Sequence, residues 1–334
     1  SSALARDLST DSNKTPIDIQ SVFKNFTTDI TTKLAFGADT HCLDNQESEL
    51  RDSLNKIFPM VNSRLKSPLP YWRLFKLPKD RALDKAVLTV KKHLNEFIQT
   101  AKQNLQGNPE PSNILESMIV ATNDKGDKFS ESELFGNALT VLLAGEDTTA
   151  NTLAWTIHYL ACNPKIQEAI YNEISESLTT ATPEFDELDN FPLTFAAAQE
   201  AIRLKPVAPF LYVENINDEI IEGHLLPAGT VIIVLINHES KNDELFKSPE
   251  LFDPQRWLNL SADDKRTYNK MLMPFGAGAR LCPGRLLSFI EMKVALISLL
   301  KDYRFTHHDE NVQVDDSFEF TLVPKNLRVN VFKR

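Results

Sequence analysis

Hydrophobic residues recur along this chain at two spacings, and the change from one to the other divides it. In residues 16–37, PIDIQSVFKNFTTDITTKLAFG, the apolar positions Ile19, Val22, Phe23, Phe26, Ile30 and Leu34 keep a helical period and stop at Gly37, which predicts an amphipathic helix. Residues 46–66 and 80–105 carry the same period, the second after Pro78, and GNPEPSN at 107–113 predicts a surface loop. A longer helix follows. Ser130 and Glu133 form a capping box, the apolar pattern runs from Leu134 through Leu139, Val141, Leu142 and Leu143 to Tyr159 and Leu160, and Asn163-Pro164 ends it after about eight turns. Beyond residue 210 the period shortens: EIIEG and TVIIVLI read as strands around Pro227-Ala-Gly229, and the last 20 residues alternate like a hairpin.

The pattern predicts a mainly α fold with small β-sheets, and the length allows one large core or two ordinary ones. The 334 residues are 42% hydrophobic and 25% charged, which suits a globular protein with a sizeable core. A net charge of -10 argues against a nucleic-acid binder and against a polybasic membrane-surface protein. The apolar runs are short, such as Val231 to Ile236, so no membrane span is expected. The opening SSALARDLSTDSN is polar, lacks an apolar core and does not begin with Met, which makes it neither a signal peptide nor an evident natural start. Cys42, Cys162 and Cys282 are odd in number and far apart, which fits a reducing compartment better than a disulfide framework.

Four stretches carry candidate chemistry. LLAGEDTTAN, in the middle of the long helix, combines Gly145, two acids and Thr148-Thr149 within an apolar surround. Either Glu146 and Asp147 face water, or the helix opens locally at a functional site. In QEAIRLKP, Glu200 and Arg203 share one helix face and Pro206 follows; in FDPQRWL, Arg256 offers a second guanidinium. Neither is informative alone, since exposed pairs of this kind are common. FGAGARLCPG differs, because a chain with only 10 glycines places Gly276, Gly278 and Gly284 around one cysteine. Glycines permit special backbone angles and close approach of a flat ligand, and Pro283 suits the first position of a helix over 286–300 whose dipole favours a thiolate. Cys42 and Cys162 read as small buried hydrophobes. Zinc at Cys282 is disfavoured, because no second Cys or paired His lies at ligand spacing and His238-Glu239 lacks the second His of HExxH; a nucleophilic Cys282 stays open.

FGAGARLCPG, preceded in order by AGEDTT, EAIR and FDPQRW, resembles the cytochromes P-450, the haem-thiolate monooxygenases, from about residue 16 to the C terminus. LPAGT and FTTDITTKLAFG look like segments of the same family. The resemblance implies the family's helical fold, with residues 1–334 as a single domain making up about the C-terminal two-thirds of it and the N-terminal portion ahead of Ser1, and haem b (iron protoporphyrin IX) as cofactor. It implies Cys282 as the iron ligand, with Phe275, Gly276, Gly278 and Gly284 against the porphyrin and Arg280 at a propionate. Ala144 and Gly145 would open a groove for dioxygen, and Thr148, Asp147 and Glu146 would serve proton delivery. Glu200, Arg203 and Arg256 would form a structural triad, and Leu143, Val207, Ala208, Phe210 and Leu322 would line the substrate pocket. The pattern departs at FLYVEN after Pro209, where many relatives carry an arginine for a propionate. The implied activity is insertion of one atom of dioxygen into a lipophilic small molecule. Electrons would come from a separate donor, a ferredoxin or a flavoprotein reductase. The implied location is cytoplasmic, with an anchor ahead of residue 1 left open. Peroxide-driven oxidation, isomerisation and an inactive truncated helical protein are the alternatives.

Overall fold

Local caps set most helix boundaries in the computed structural model, which describes residues 16–43, 48–180, 183–236, 238–309, 311 and 313–334. The opening SSALARDLSTDSN and the first two residues of the helix expected over 46–66 lie outside them. Helix α1 (Ile19–Phe36) starts where the Asp18 carboxylate accepts the Ser21 N–H and ends at Gly37, left-handed at φ 68. Helix α2 (Glu49–Leu65) is capped by Ser48, and α3 (Pro78–Gly107) has proline in its first turn. A short α4 (Ile114–Val120) follows Asn113. Helix α5 (Glu131–Cys162) carries the expected Ser130–Glu133 box and stops at Asn163. Proline opens both α6 (Pro164–Ser177) and α7 (Pro192–Leu204); Ser261 caps α8 (Ala262–Leu272), and α9 (Arg285–Leu300) follows Gly284.

Four two-stranded antiparallel sheets complete the described residues. Strand β1 (Phe210–Glu214) pairs with β4 (Val231–Leu235), with Tyr212 opposite Ile233, and β2 (Glu219–Ile221) pairs with β3 (His224–Leu226). Strand β5 (Tyr303–His307) pairs with β8 (Val329–Lys333), with Phe305 opposite Val331, and β6 (Asp315–Phe318) pairs with β7 (Leu322–Lys325). The fold is mainly helical with small sheets, as the periodicity predicts.

Several expectations need correction. Helix α3 begins at Pro78 itself and takes in Gly107, while α4, α6 and α8 are additional. The terminal alternation is not one hairpin: β6 and β7 form a hairpin, but β8 leaves it to pair with β5. On α1, Leu34 is exposed while Thr27, Thr28, Thr31 and Thr32 are buried, because the helix lies close against α5; Thr27, Thr28 and Thr32 satisfy their hydroxyls on carbonyls, whereas Thr31 Oγ1 has no partner.

Helix α5 links two hydrophobic cores. Its first half (Leu134, Ala138, Leu142) packs with Leu54 of α2, Leu94 of α3 and Leu115 of α4. Its second half (Ala150, Leu153, Ile157, Leu160) packs with Phe23 of α1, Ile170 of α6, Ala198 of α7, Leu296 of α9 and Phe305 of β5. Each fully buried side chain of this size stabilises by about 1.5–3 kcal/mol, so both halves are firmly anchored. Between them lies the segment 143–149. No described helix is long and apolar enough to cross a membrane.

Candidate functional site

The segment joining the two cores sorts its residues by helix face. Helix α5 runs unbroken through it, so the local opening expected there is not observed. Ala144 and Thr148, one turn apart, share a face, and the Thr148 hydroxyl donates to the Ala144 carbonyl at 2.9 Å. Gly145 faces elsewhere: a Cβ there would sit 2.8 Å from Thr31 Oγ1 and 2.9 Å from its Cγ2, so glycine is required by the close approach of α1. The same contact lets Thr27 donate to the Glu146 carbonyl at 2.8 Å.

Neither acid faces water. Asp147 is 5% exposed, pairs with Lys24 Nζ at 2.8 Å and accepts a hydrogen bond from Thr321. Burial opposes the Lys24 charge, but Asp147 outweighs it and lifts the ammonium above its ordinary pKa. Thr321 also accepts from Asn151 at 3.2 Å, and Asn151 accepts from Gln20 at 2.6 Å, which extends the polar chain. Glu146 is buried with Oε1 unpartnered, and burial pushes its carboxyl up to about 8 against the pull of Lys24. Gln20, Lys24, Glu146 and Asp147 border a cavity of about 270 Å³ between α1, α2 and α5. Asp147 and Thr148, paired by sequence, therefore sit on two faces of one helix.

On the Thr148 side, Thr148, Thr149, Thr152, Pro206, Val207, Pro274, Phe275 and Met292 line a small cavity of about 40 Å³. Through Pro274 and Phe275 it reaches the FGAGARLCPG loop. That loop is closed by Cys282 N–H donating to the Phe275 carbonyl at 2.9 Å. Gly276 (φ 73) and Gly278 (φ 62) take the left-handed conformation that favours glycine. Gly284 does not: its φ is -81, and it serves as the N-cap of α9, so the helix starts two residues after Pro283 rather than at it. Phe275 meets Phe289 of α9 edge to face at 5.0 Å, which holds the loop on the helix. Cys282 and Arg280 are exposed, and Arg280 makes no ion pair among the described residues. A second cavity of about 560 Å³, lined by Phe195, Trp257, Leu281 and Arg285, shares Pro206 and Phe275 with the first.

The two weak arginine motifs meet behind the loop. Arg203 donates to Glu200 through Nε at 2.9 Å and Nη2 at 2.8 Å, and to the carbonyls of Ser240 and Pro249 at 2.5 and 2.7 Å. Arg256 Nε reaches Glu200 at 3.2 Å, and so does Trp257 Nε1 at 2.9 Å. Glu200 and Arg203 are wholly buried, and Glu200 also accepts the Asp253 N–H at 3.1 Å, so the buried pair is met by several donors.

Sequence reasoning missed Lys24, Thr321, Trp257 and Glu291. Only Trp257, beside Arg256, carried a local signal. Glu291 on α9 is 3% exposed, and burial raises its carboxyl to about 8 despite a hydrogen bond from Thr149. The folded chain thus holds a proton that the unfolded chain, with an ordinary value of 4.5, has released; this stability is full below 4.5 and is lost as pH rises through about 8. Glu291→Gln is expected to remove a decline of a few kcal/mol over that window, read from thermal melts at successive pH values. An unaltered pH profile in the variant would contradict the assignment. Glu146 acts with the same sign and leaves a residual slope.

The residues suit a flat, anionic, thiolate-ligated group. The thiol is exposed on a pinned backbone, a Cβ on Gly278 would meet nothing within 4 Å, and an unpaired guanidinium stands two residues away. Residues 2–331 match the family model described as Cytochrome P450. The chain is 26% identical over 324 residues to Cytochrome P450 27C1 of Danio rerio, covering 94% of this chain and 59% of the relative. It is 28% identical over 274 residues to cyclooctat-9-en-7-ol 5-monooxygenase of Streptomyces melanosporofaciens, covering 82% and 58%. It is 31% identical over 223 residues to pentalenene oxygenase of Streptomyces avermitilis, covering 66% and 49%. The chain spans less than two thirds of the length of these relatives. The crystal structure of the cytochrome P450DA heme domain superposes with a TM-score of 0.86 at 22% identity, covering 100% of this chain and 71% of that one, which shows a shared fold.

Proposed function

The chain belongs to the cytochrome P450 family, which implies haem, and from that premise we propose that Cys282 holds haem b in a monooxygenase acting on a lipophilic small molecule. The observation that carries this reading is the exposed Cys282 thiol in a glycine loop whose Pro274 and Phe275 share a cavity with Thr148. When bound, haem supplies dioxygen binding and reduction, so that one oxygen atom enters the substrate.

The chain's own residues bind, orient and move protons. Cys282 ligates through its sulfur, Arg280 meets a propionate, and Gly276 and Gly278 keep the loop flat enough for close approach. Phe275 packs the loop on Phe289 and Gly284 is the N-cap of α9. Ala144 leaves space on the Thr148 face, and Gly145 acts indirectly by seating α5 on α1. Thr148 holds a proton at its hydroxyl, while Asp147 draws on the cavity lined by Lys24 and Glu146 and passes protons around the helix. Val207 and Leu322, joined by a 2.8 Å backbone hydrogen bond, line an apolar pocket. The alkene names of two relatives' substrates, cyclooctat-9-en-7-ol and pentalenene, fit such a lining. Residues 1–334 act as one domain, in the cytoplasm, with electrons from a separate ferredoxin or flavoprotein reductase.

The test is the difference spectrum of the reduced, haem-loaded protein with carbon monoxide. A thiolate-type band is expected, and its absence overturns the reading. Thr148→Ala is expected to raise the ratio of hydrogen peroxide to product by about 10²-fold, the lower end of the range for losing one proton-transfer group. Product and peroxide are quantified together, and full coupling in the variant removes Thr148 from proton delivery.

A further inference from the structure

At the far end of α5, three side chains that the haem site does not use converge. His158 and Cys162 lie one turn apart on the helix, and His307 ends β5. One ligating atom from each lies within 4.8 Å of the others. The Cys162 sulfur is 3.4 Å from His307 Nε2, and the two imidazole rings stand edge to face with centroids 5.0 Å apart. A tetrahedral ion held at about 2.3 Å by sulfur and about 2.0–2.1 Å by nitrogen sets its ligand atoms roughly 3.5 Å apart, so the sulfur–nitrogen spacing is already that of a filled site. His158 Nδ1 is buried without a hydrogen-bond partner. The cluster is ten to fourteen residues along the helix from Thr148, about 15–21 Å.

We propose that His158, Cys162 and His307 form a zinc site, separate from the Cys282 site, with water as fourth ligand on the exposed Cys162 side. One thiolate and two imidazoles are a soft-to-borderline set that suits zinc and excludes calcium and magnesium, which require oxygen ligands. Binding converts the Cys162 thiol to a thiolate and releases one proton; no electron moves. The ion ties the end of α5 to β5, a junction that Gln167 already braces by accepting from Phe305 N–H at 2.7 Å and donating to its carbonyl at 3.0 Å.

The experiment uses the full chain as purified, dialysed to equilibrium against Zn²⁺, with zinc and iron counted separately by mass spectrometry and the zinc shell read by X-ray absorption. One zinc per chain is expected, with one sulfur and two nitrogen neighbours, retained in Cys282→Ser. Cys162→Ser is expected to lose it. His307→Ala is expected to weaken binding by more than the roughly 10–100-fold that loss of a supporting outer group costs. Zinc should raise the melting temperature of the parent but not of Cys162→Ser, which distinguishes lost binding from lost folding. No bound zinc, a shell without sulfur, or equal retention by Cys162→Ser overturns the site. Because iron is counted apart, failure of the haem reading leaves this result intact.

Discussion

Replacing Cys282 by serine is expected to abolish the thiolate-type band of the reduced carbon monoxide complex, and oxygenation with it. The side chain is exposed, while the loop is shaped by the Cys282 N–H bond to Phe275 and by two left-handed glycines, none of which depends on sulfur. Losing the sulfur should therefore leave folding almost untouched, because surface changes away from packed or strained features usually cost within about 0.5 kcal/mol. The chemistry should suffer the whole effect. Absorption spectroscopy of the parent and Cys282→Ser proteins decides it, with circular dichroism melts as the folding control. An unchanged spectrum would place the iron ligand elsewhere.

Arg203→Leu is expected to act in the opposite way, through the fold. The guanidinium is completely buried, lies over the Phe246 ring at 4.9 Å, and binds the Glu200 carboxylate together with the carbonyls of Ser240 and Pro249. Removing it leaves Glu200 with the Asp253 N–H, Arg256 and Trp257, and strands the carbonyls. Breaking a buried pair from one side costs about 3–5 kcal/mol, a large share of the 5–15 kcal/mol that stabilises a typical domain. Urea titration should show a midpoint far below that of the parent, and iron content should fall with it. Arg256→Ala should cost less, since Arg256 makes a single 3.2 Å contact to Glu200 and keeps its second bond on the Ser248 carbonyl at the surface. A parent-like midpoint for Arg203→Leu would show that the carboxylate does not depend on this pair.

Particular residues show why some of this was legible. Ser130 and Glu133 are three apart and their capping box is a local event, so the start of α5 could be read directly, as could its stop at Asn163-Pro164. Gly276 and Gly278 were legible for the same reason, since a left-handed backbone is a property of the residue itself. Gly145 was misread because its meaning depends on Thr31, more than a hundred residues earlier in the chain. Cys162 was read as a buried hydrophobe but is exposed beside His307, a partner 145 positions away. The strand partner of β8 was hidden likewise, because alternation marks a strand without naming its neighbour.

Taken alone, the order of residues determined where many helices begin and stop, that the protein is mainly helical with small sheets, and that glycines, a cysteine, acids and hydroxyls concentrate in the Cys282 loop and the acid-threonine turn of α5. These follow from short-range sterics, capping hydrogen bonds and periodicity. Only the tertiary structure decided that Asp147 turns to Lys24 and Thr321 while Thr148 turns to the loop, that Glu291 keeps a proton, and that two histidines meet a cysteine at the end of α5. Those outcomes depend on desolvation and on which distant groups arrive at hydrogen-bonding distance, and both are properties of the packed chain.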